Sequence, residues 1–186
     1  MDDNSIVDMY WARDEKAIDV THDKYGRYCY SIAYNILGSR EDSDECVNDT
    51  YLGAWNSMPP HRPVMLSTFL GKITRSLSLK KWRNKTRLKR GGGQAEITLE
   101  ELQECIPARS NVEEELETKE LVEAVNGFLK ELPIEERRIF LRRYWYFDSI
   151  DDICKRFGYG KSKVKMKLFR TREKLMKKLE REGVEV

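Results

Sequence analysis

Apolar positions in the C-terminal part of the chain recur with the period of an α-helix. Val164, Leu168, Thr171, Leu175 and Leu179 fall on one stripe, while Ser162, Met166 and Phe169 point the opposite way, flanked by Lys165 and Arg170. This spacing predicts a helix from Lys161 that buries one side and offers a basic side outward. Just before it, Ser149 suits the N-cap of a short helix from Ile150 to Phe157, and Gly158-Tyr159-Gly160 reads as a tight turn, with Gly158 at a left-handed position. Further upstream, Val112 to Leu132 has the pattern of an acidic amphipathic helix, and Pro133 opens another through PIEERRIFLRRYWYF. Two helices joined by a tight turn, with Cys154 as a small residue at their approach, are what a helix-turn-helix requires. A plain three-helix bundle with a basic exterior satisfies the same pattern.

The first half reads in the same way. Tyr25, Cys29, Ile32, Ala33, Ile36 and Leu37 lie at helical spacing before a stop at Gly38. Ser39 opens a second helix with acidic residues in its first turns and an apolar stripe of Val47, Tyr51, Ala54 and Trp55. After the loop containing Pro59, Pro60 and Pro63, a third helix is expected to turn Leu66, Leu70, Ile73 and Leu77 inward and Lys72, Arg75, Ser76, Lys80 and Arg83 outward. Trp82 in the same run fits helix packing or a base-stacking ring. Between Arg90 and Ser110, Gly91, Gly92, Gly93 and Pro107 break the helical patterns. The expected fold is therefore all-α, with two small helical domains, 1–90 and 112–186, joined by a flexible acidic linker, 91–111, and a helix-turn-helix in the second.

Composition narrows the function. The 186 residues are enough for one ordinary or two small domains, and 35% charged residues imply much helix surface in water. No apolar run approaches the roughly 18 residues of a membrane span, and the opening MDDNSIVDMYWARDE lacks the order of a secretory signal, so a cytoplasmic protein without membrane insertion is expected. Cys29, Cys46, Cys105 and Cys154 are too scattered for a disulfide framework or a metal site, which favours reduced thiols. His22 and His61 have no partner at metal-ligand or triad spacing, and no nucleophile motif or phosphate loop occurs. The reading is a non-enzyme with no cofactor and no metal.

The net charge of +2 hides a strong segregation. Residues 1–57 carry −7, 58–93 carry +10, 94–136 carry −10 and 137–186 carry +9, and the block 58–93 contains no acidic residue. Two basic blocks separated by an acidic one look like two footprints on a polyanion, with nucleic acid the natural candidate. A helix-turn-helix would place its second helix in a major groove with Ser162, Lys165, Met166, Phe169 and Arg170 facing DNA.

These residues resemble the extracytoplasmic-function (ECF) group of sigma-70-type RNA polymerase sigma factors, from about Ile18 to Leu179. EDSDECVNDTYLGAW, Glu41 to Trp55, is similar to the family's acidic helix: Asp42, Ser43, Asp44 and Glu45 match its opening, and Asn48, Asp49, Thr50, Tyr51 and Leu52 its centre. The resemblance implies that Asp44, Glu45, Asn48, Asp49 and Leu52 bind the clamp helices of the large subunit of core RNA polymerase. STFLGKITRSLSLKKWR resembles the helix that melts and reads the minus-10 promoter element; Leu70, Ile73, Arg75 and Arg83 match, whereas Phe69, Ser76 and Lys80 stand for Trp, Asn and Asp. This implies minus-10 contacts by Lys72, Arg75, Ser76, Lys80 and Arg83, with His61 and Arg62 on the rim of a base pocket.

The C-terminal piece, from Leu132 to Leu175, is similar to the family's minus-35 module. Leu132, Pro133, Arg137, Ile153, Gly158, Val164, Lys165, Arg170, Arg172 and Leu175 match, while Cys154, Gly160 and Lys163 replace Ala, Ser and Thr. Minus-35 contacts are then implied for Lys161, Ser162, Lys163, Lys165, Met166, Phe169 and Arg170. Because glycine stands at the capping position, Ser162 is a second candidate cap, starting the helix two residues later. The resemblance further implies that the acidic block Gln94 to Glu117 runs through the polymerase toward its active centre; a solvated tether fits the same composition. It also implies a cognate anti-sigma factor as a partner. Two rival readings remain: a stand-alone helix-turn-helix regulator, and a sigma-like decoy that binds protein without reading promoters.

Overall fold

The computed structural model describes residues 1–86, 93–103, 105, 106 and 114–182. Gly91, Gly92, Pro107 and Val112, and with them both ends of the expected linker, lie outside the described residues. Nine helices and no strand occur among those described, in two compact units, Met1–Gly93 and Gln94–Val186. No helix among them is long and apolar enough to cross a membrane.

The first unit holds α1 (Asp3–Trp11), α2 (Lys16–Leu37), α3 (Arg40–Ser57) and α4 (Leu66–Thr86). Asp2 caps α1 by accepting the Ser5 N–H at 3.0 Å, Gly38 ends α2 in the left-handed region at φ 65°, and Ser39 caps α3 through the Asp42 N–H. The core gathers Ile6, Val7, Tyr10, Cys29, Val47, Tyr51, Ala54, Met58, Leu66 and Leu70. A fully buried aliphatic or aromatic side chain of this kind contributes roughly 1.5–3 kcal/mol. The Tyr10 hydroxyl, buried with them, donates to Thr21 Oγ1 at 3.0 Å, and Thr21 donates to the Ala17 carbonyl at 2.7 Å, which meets the cost of burying both.

The inward face of α4 differs from expectation. Leu66 and Leu70 are buried, but Ile73 and Leu77 are only half-buried, and the stripe continues through Thr74 and Ser78. Small hydroxyl side chains let α3 and α4 approach closely: Cys46 Sγ lies 3.1 Å from Ser78 Oγ, and Thr50 Oγ1 3.1 Å from Thr74 Oγ1. Gly71 serves the same purpose against α2, since a Cβ there would lie 2.5 Å from the Tyr28 hydroxyl.

The second unit holds α5 (Gln94–Gln103), α6 (Glu114–Glu131), α7 (Ile134–Tyr144), α8 (Ile150–Phe157) and α9 (Lys161–Arg181). Its core is Phe128, Leu132, Ile139, Phe140, Tyr144, Ile153, Val164, Leu168, Leu175 and Leu179, so the predicted stripe of the last helix is the one buried. Ser149 caps α8, accepting from the Asp152 N–H at 3.1 Å and donating to the Asp152 carboxylate at 2.5 Å. Gly158 ends α8 in the left-handed region at φ 67°. α9 begins at Lys161 with Gly160 as its N-cap and no side-chain capping bond, so Ser162 is not the cap.

One expectation is corrected here. Residues 94–103, placed in a flexible linker, form α5, with Ala95 and Thr98 buried and Leu102 and Cys105 packed into the second core. Arg143 of α7 explains the attachment. It is almost fully buried, donates to both carboxylate oxygens of Glu101 at 3.0 and 2.7 Å, and needs that partner because an unpaired buried guanidinium is costly.

Candidate nucleic-acid and protein interfaces

Turning Leu70, Thr74 and Ser78 inward puts Lys72, Ser76, Lys80 and Arg83 on the opposite side of α4, and all four are exposed. Arg75 is half-buried; burial, and then the neighbouring Arg83, push its guanidinium below the ordinary value. It sits beneath the stripe rather than on it. The basic block also serves the fold, because Lys81 lies 3.2 Å from Asp42 and 2.5 Å from Glu45, and Lys85 pairs with Asp42 as well. The Lys85 bond foremost, with Lys81 and Ser39, holds the Asp42 carboxyl below its usual range against the effect of burial. Thus Lys81 and Lys85 tie α4 to α3, while Lys72 and Lys80 lie on its opposite side.

The loop before α4 is pinned to α1. Trp11 Nε1 donates to the His61 carbonyl at 3.2 Å, the Arg62 guanidinium lies 5.6 Å from the Trp11 ring centre, and Arg62 pairs with Asp8. His61 and Arg62 are exposed, next to Val64 and Met65, which are 94% and 61% exposed. Large apolar side chains this open beside two cationic or aromatic groups suit contact with an unstacked base. The resemblance placed the whole loop from Pro59 to Met65 on the pocket rim, but only His61 and Arg62 were singled out from it.

On α3, Asp44, Glu45, Asn48, Asp49 and Leu52 are all exposed, with Asp44, Asn48 and Leu52 one turn apart and Leu52 57% exposed. Glu45 is engaged by Lys81. Beside this face, Leu52 and Asn48 border a shallow apolar groove completed by Ile18, Tyr51 and Trp55. An exposed leucine, a groove and a rim of carboxylates and amides form a surface suited to a protein rather than to DNA.

In the second unit, Lys161, Ser162, Lys163, Lys165, Met166, Phe169 and Arg170 all project from α9 into solvent, with Met166 and Phe169 about half exposed. The cations differ in freedom. Lys161 pairs with Asp151 at 2.8 Å, which raises the lysine and lowers the carboxyl, and Lys163 sits 3.5 Å over the Tyr159 ring. Among the described residues, Lys165 and Arg170 have no ion-pair partner. Four other basic residues of α9 hold the module together: Lys167 pairs with Glu135, Lys174 with Glu136 and Lys178 with Glu131, while Arg172 donates to the Tyr144 hydroxyl at 2.7 Å.

Tyr159 is the residue that the sequence reading used only as a turn. Its hydroxyl donates to Glu135 at 2.8 Å, and its ring stacks on Phe157, so it anchors the turn to α7 while supporting Lys163. An aromatic residue between two glycines was the signal. Among the described residues no cluster of three or more His, Cys, Asp or Glu is placed to hold a metal ion. Cys29 and Cys46 are buried, and burial pushes both thiols up, away from reactivity.

Two family models match the chain. Sigma-70 region 2 matches residues 21–88, which include α3 and α4, and ECF sigma factor matches residues 62–181, more than half of the chain. No curated protein matches it.

Proposed function

The chain belongs to the ECF sigma factor family, with a sigma factor's role in transcription initiation, and we propose that it performs this role with three separate surfaces. The α3 face of Asp44, Glu45, Asn48, Asp49 and Leu52 docks on the clamp helices of core RNA polymerase. The α4 stripe of Lys72, Ser76, Lys80 and Arg83, with Arg75 behind it and His61 and Arg62 in the loop, takes the minus-10 element and holds a melted strand. The α9 face of Lys161, Ser162, Lys163, Lys165, Met166, Phe169 and Arg170, the second helix of a helix-turn-helix, reads the minus-35 element in the major groove.

The observation that carries this reading is the sorting of the basic residues. In both units some lysines are tied to carboxylates within the fold, while Lys72, Lys80, Arg83, Lys165 and Arg170 are left exposed on one side of a helix. Cations along a strand supply affinity through phosphate contacts and make binding fall with salt. Base choice then rests on fewer groups. Met166 and Phe169 suit a thymine methyl, and Arg170 can donate to two acceptors on guanine. The polymerase performs the chemistry, and the chain contributes recognition and strand separation.

Transcription from a promoter library by core RNA polymerase, with and without the chain, tests this. Start sites downstream of a shared two-element sequence, seen only with the chain present, are the expected result. Binding to core without initiation would instead indicate a decoy, and selective duplex binding without any affinity for core a stand-alone regulator.

A further inference from the structure

α1 ends at a tryptophan that the fold leaves partly open. Ile6, Val7 and Tyr10 turn into the first core, whereas Trp11, the last residue of the helix, is 40% exposed. Its position is nonetheless fixed. Trp11 Nε1 donates to the His61 carbonyl at 3.2 Å, and two residues further on Arg13 turns the chain at φ 58° and donates to the Trp55 carbonyl at 2.7 Å, which fastens the end of α1 to α3. An indole held in place with part of its ring open to water is suited to stacking on an unpaired base.

The ring already serves as a platform within the chain. The Arg62 guanidinium lies 5.6 Å from its centre and pairs with Asp8, one turn back on α1. A planar guanidinium and a nucleobase stack on an aromatic ring in the same manner, and a carboxylate holds a guanidinium much as a phosphate does. Both partners of the Arg62–Asp8 pair are more than half exposed, so exchanging Asp8 for a phosphate costs about fivefold in affinity at most. α1 also precedes the residues that match either family model, 21–88 and 62–181.

We propose that α1 is part of the strand-binding site: Trp11 stacks on an unpaired base of the melted strand, and Arg62 passes from Asp8 to a phosphate beside it. This rests on the minus-10 reading of the loop that holds His61 and Arg62, and adds to that site a residue from a different helix. A role confined to pinning the loop would need only the Nε1 hydrogen bond. Trp11→Phe keeps a ring and loses the donor, Trp11→Ala loses both, and neither removes a core residue, so the two roles can be separated.

The test is the binding of single-stranded oligonucleotides to the complex of core polymerase with the full chain, read by fluorescence anisotropy. The oligonucleotides carry the minus-10 element defined by the promoter library, either intact or with one base at a time removed to leave an abasic sugar. With the unaltered chain, base removal at one or more positions should weaken binding about tenfold, within the range for a base stacked on an aromatic side chain. Trp11→Ala should weaken binding of the intact strand by a similar factor and make one of those positions insensitive to base removal, the coupling expected of groups in contact. Trp11→Phe should keep most of that sensitivity, and Asp8→Asn should tighten binding by up to about fivefold. If every position stays as sensitive in Trp11→Ala as in the unaltered chain, Trp11 only shapes the loop and the stacking is overturned; weaker binding by Asp8→Asn overturns the handover of Arg62. If the unaltered complex is indifferent to the loss of any base, or if Lys80→Ala and Arg83→Ala leave binding unchanged, the minus-10 reading itself has failed and the role of α1 falls with it.

Discussion

Cys46 Sγ of α3 and Ser78 Oγ of α4 lie 3.1 Å apart in the buried seam between the helix proposed to meet a protein partner and the helix proposed to meet DNA. The hydroxyls of this seam are satisfied within their own helices: Ser78 donates to the Thr74 carbonyl, and Thr74 to the Leu70 carbonyl. Small volume, rather than a hydrogen bond across the seam, is what the position requires. Ser78→Ala should therefore change stability by less than about 1 kcal/mol, whereas Ser78→Leu should cost about 1–3 kcal/mol through overpacking, both read from urea unfolding.

This seam marks a limit of what the sequence disclosed. A helical stripe of leucine and isoleucine could be read directly, and on α9 Val164, Leu168, Thr171, Leu175 and Leu179 are all buried. On α4 the rule of inward apolar residues selected Ile73 and Leu77, because nothing in the sequence states how close α3 will come. The exposed cations on both helices were legible from charge and period. Which lysines would be spent on the fold was not, since Lys81 and Lys85 find Asp42 only once α3 and α4 pack. The same holds for α5: Glu101 looked like one more acidic residue in a tether until Arg143, 42 positions away, was buried beside it.

The Asp42 clamp has a pH signature. Its carboxyl is held below the usual value of 3.8, so its contribution is present at neutral pH and is lost as pH falls below about 4, through the depressed value. Asp42→Asn should cost about 1 kcal/mol at pH 7 and flatten the acid limb of the stability curve of the first unit, measured by thermal melts from pH 2 to 7.

Gly158 turns from α8 to α9 at φ 67°. Replacing it by alanine should destabilise the second unit by about 1–2 kcal/mol, seen as a lower melting temperature, because an L side chain is strained there.

The division between units at Gly93 and Gln94 can be checked with fragments. A fragment of residues 94–186 should fold, while 112–186, which lacks Glu101 and leaves Arg143 buried without its carboxylate, should be less stable by about 3–5 kcal/mol in denaturant titrations.

The central claim is that two basic faces on separate units read separate promoter elements. It is tested most directly by initiation assays that cross variants with promoters. Lys165→Ala and Arg170→Ala should each reduce initiation about tenfold or more on a two-element promoter and have little effect once the minus-35 element is scrambled. Lys80→Ala and Arg83→Ala should reduce initiation whether or not that element is intact. If the α9 variants lose as much on the scrambled promoter as on the intact one, α9 does not read that element and the account is contradicted.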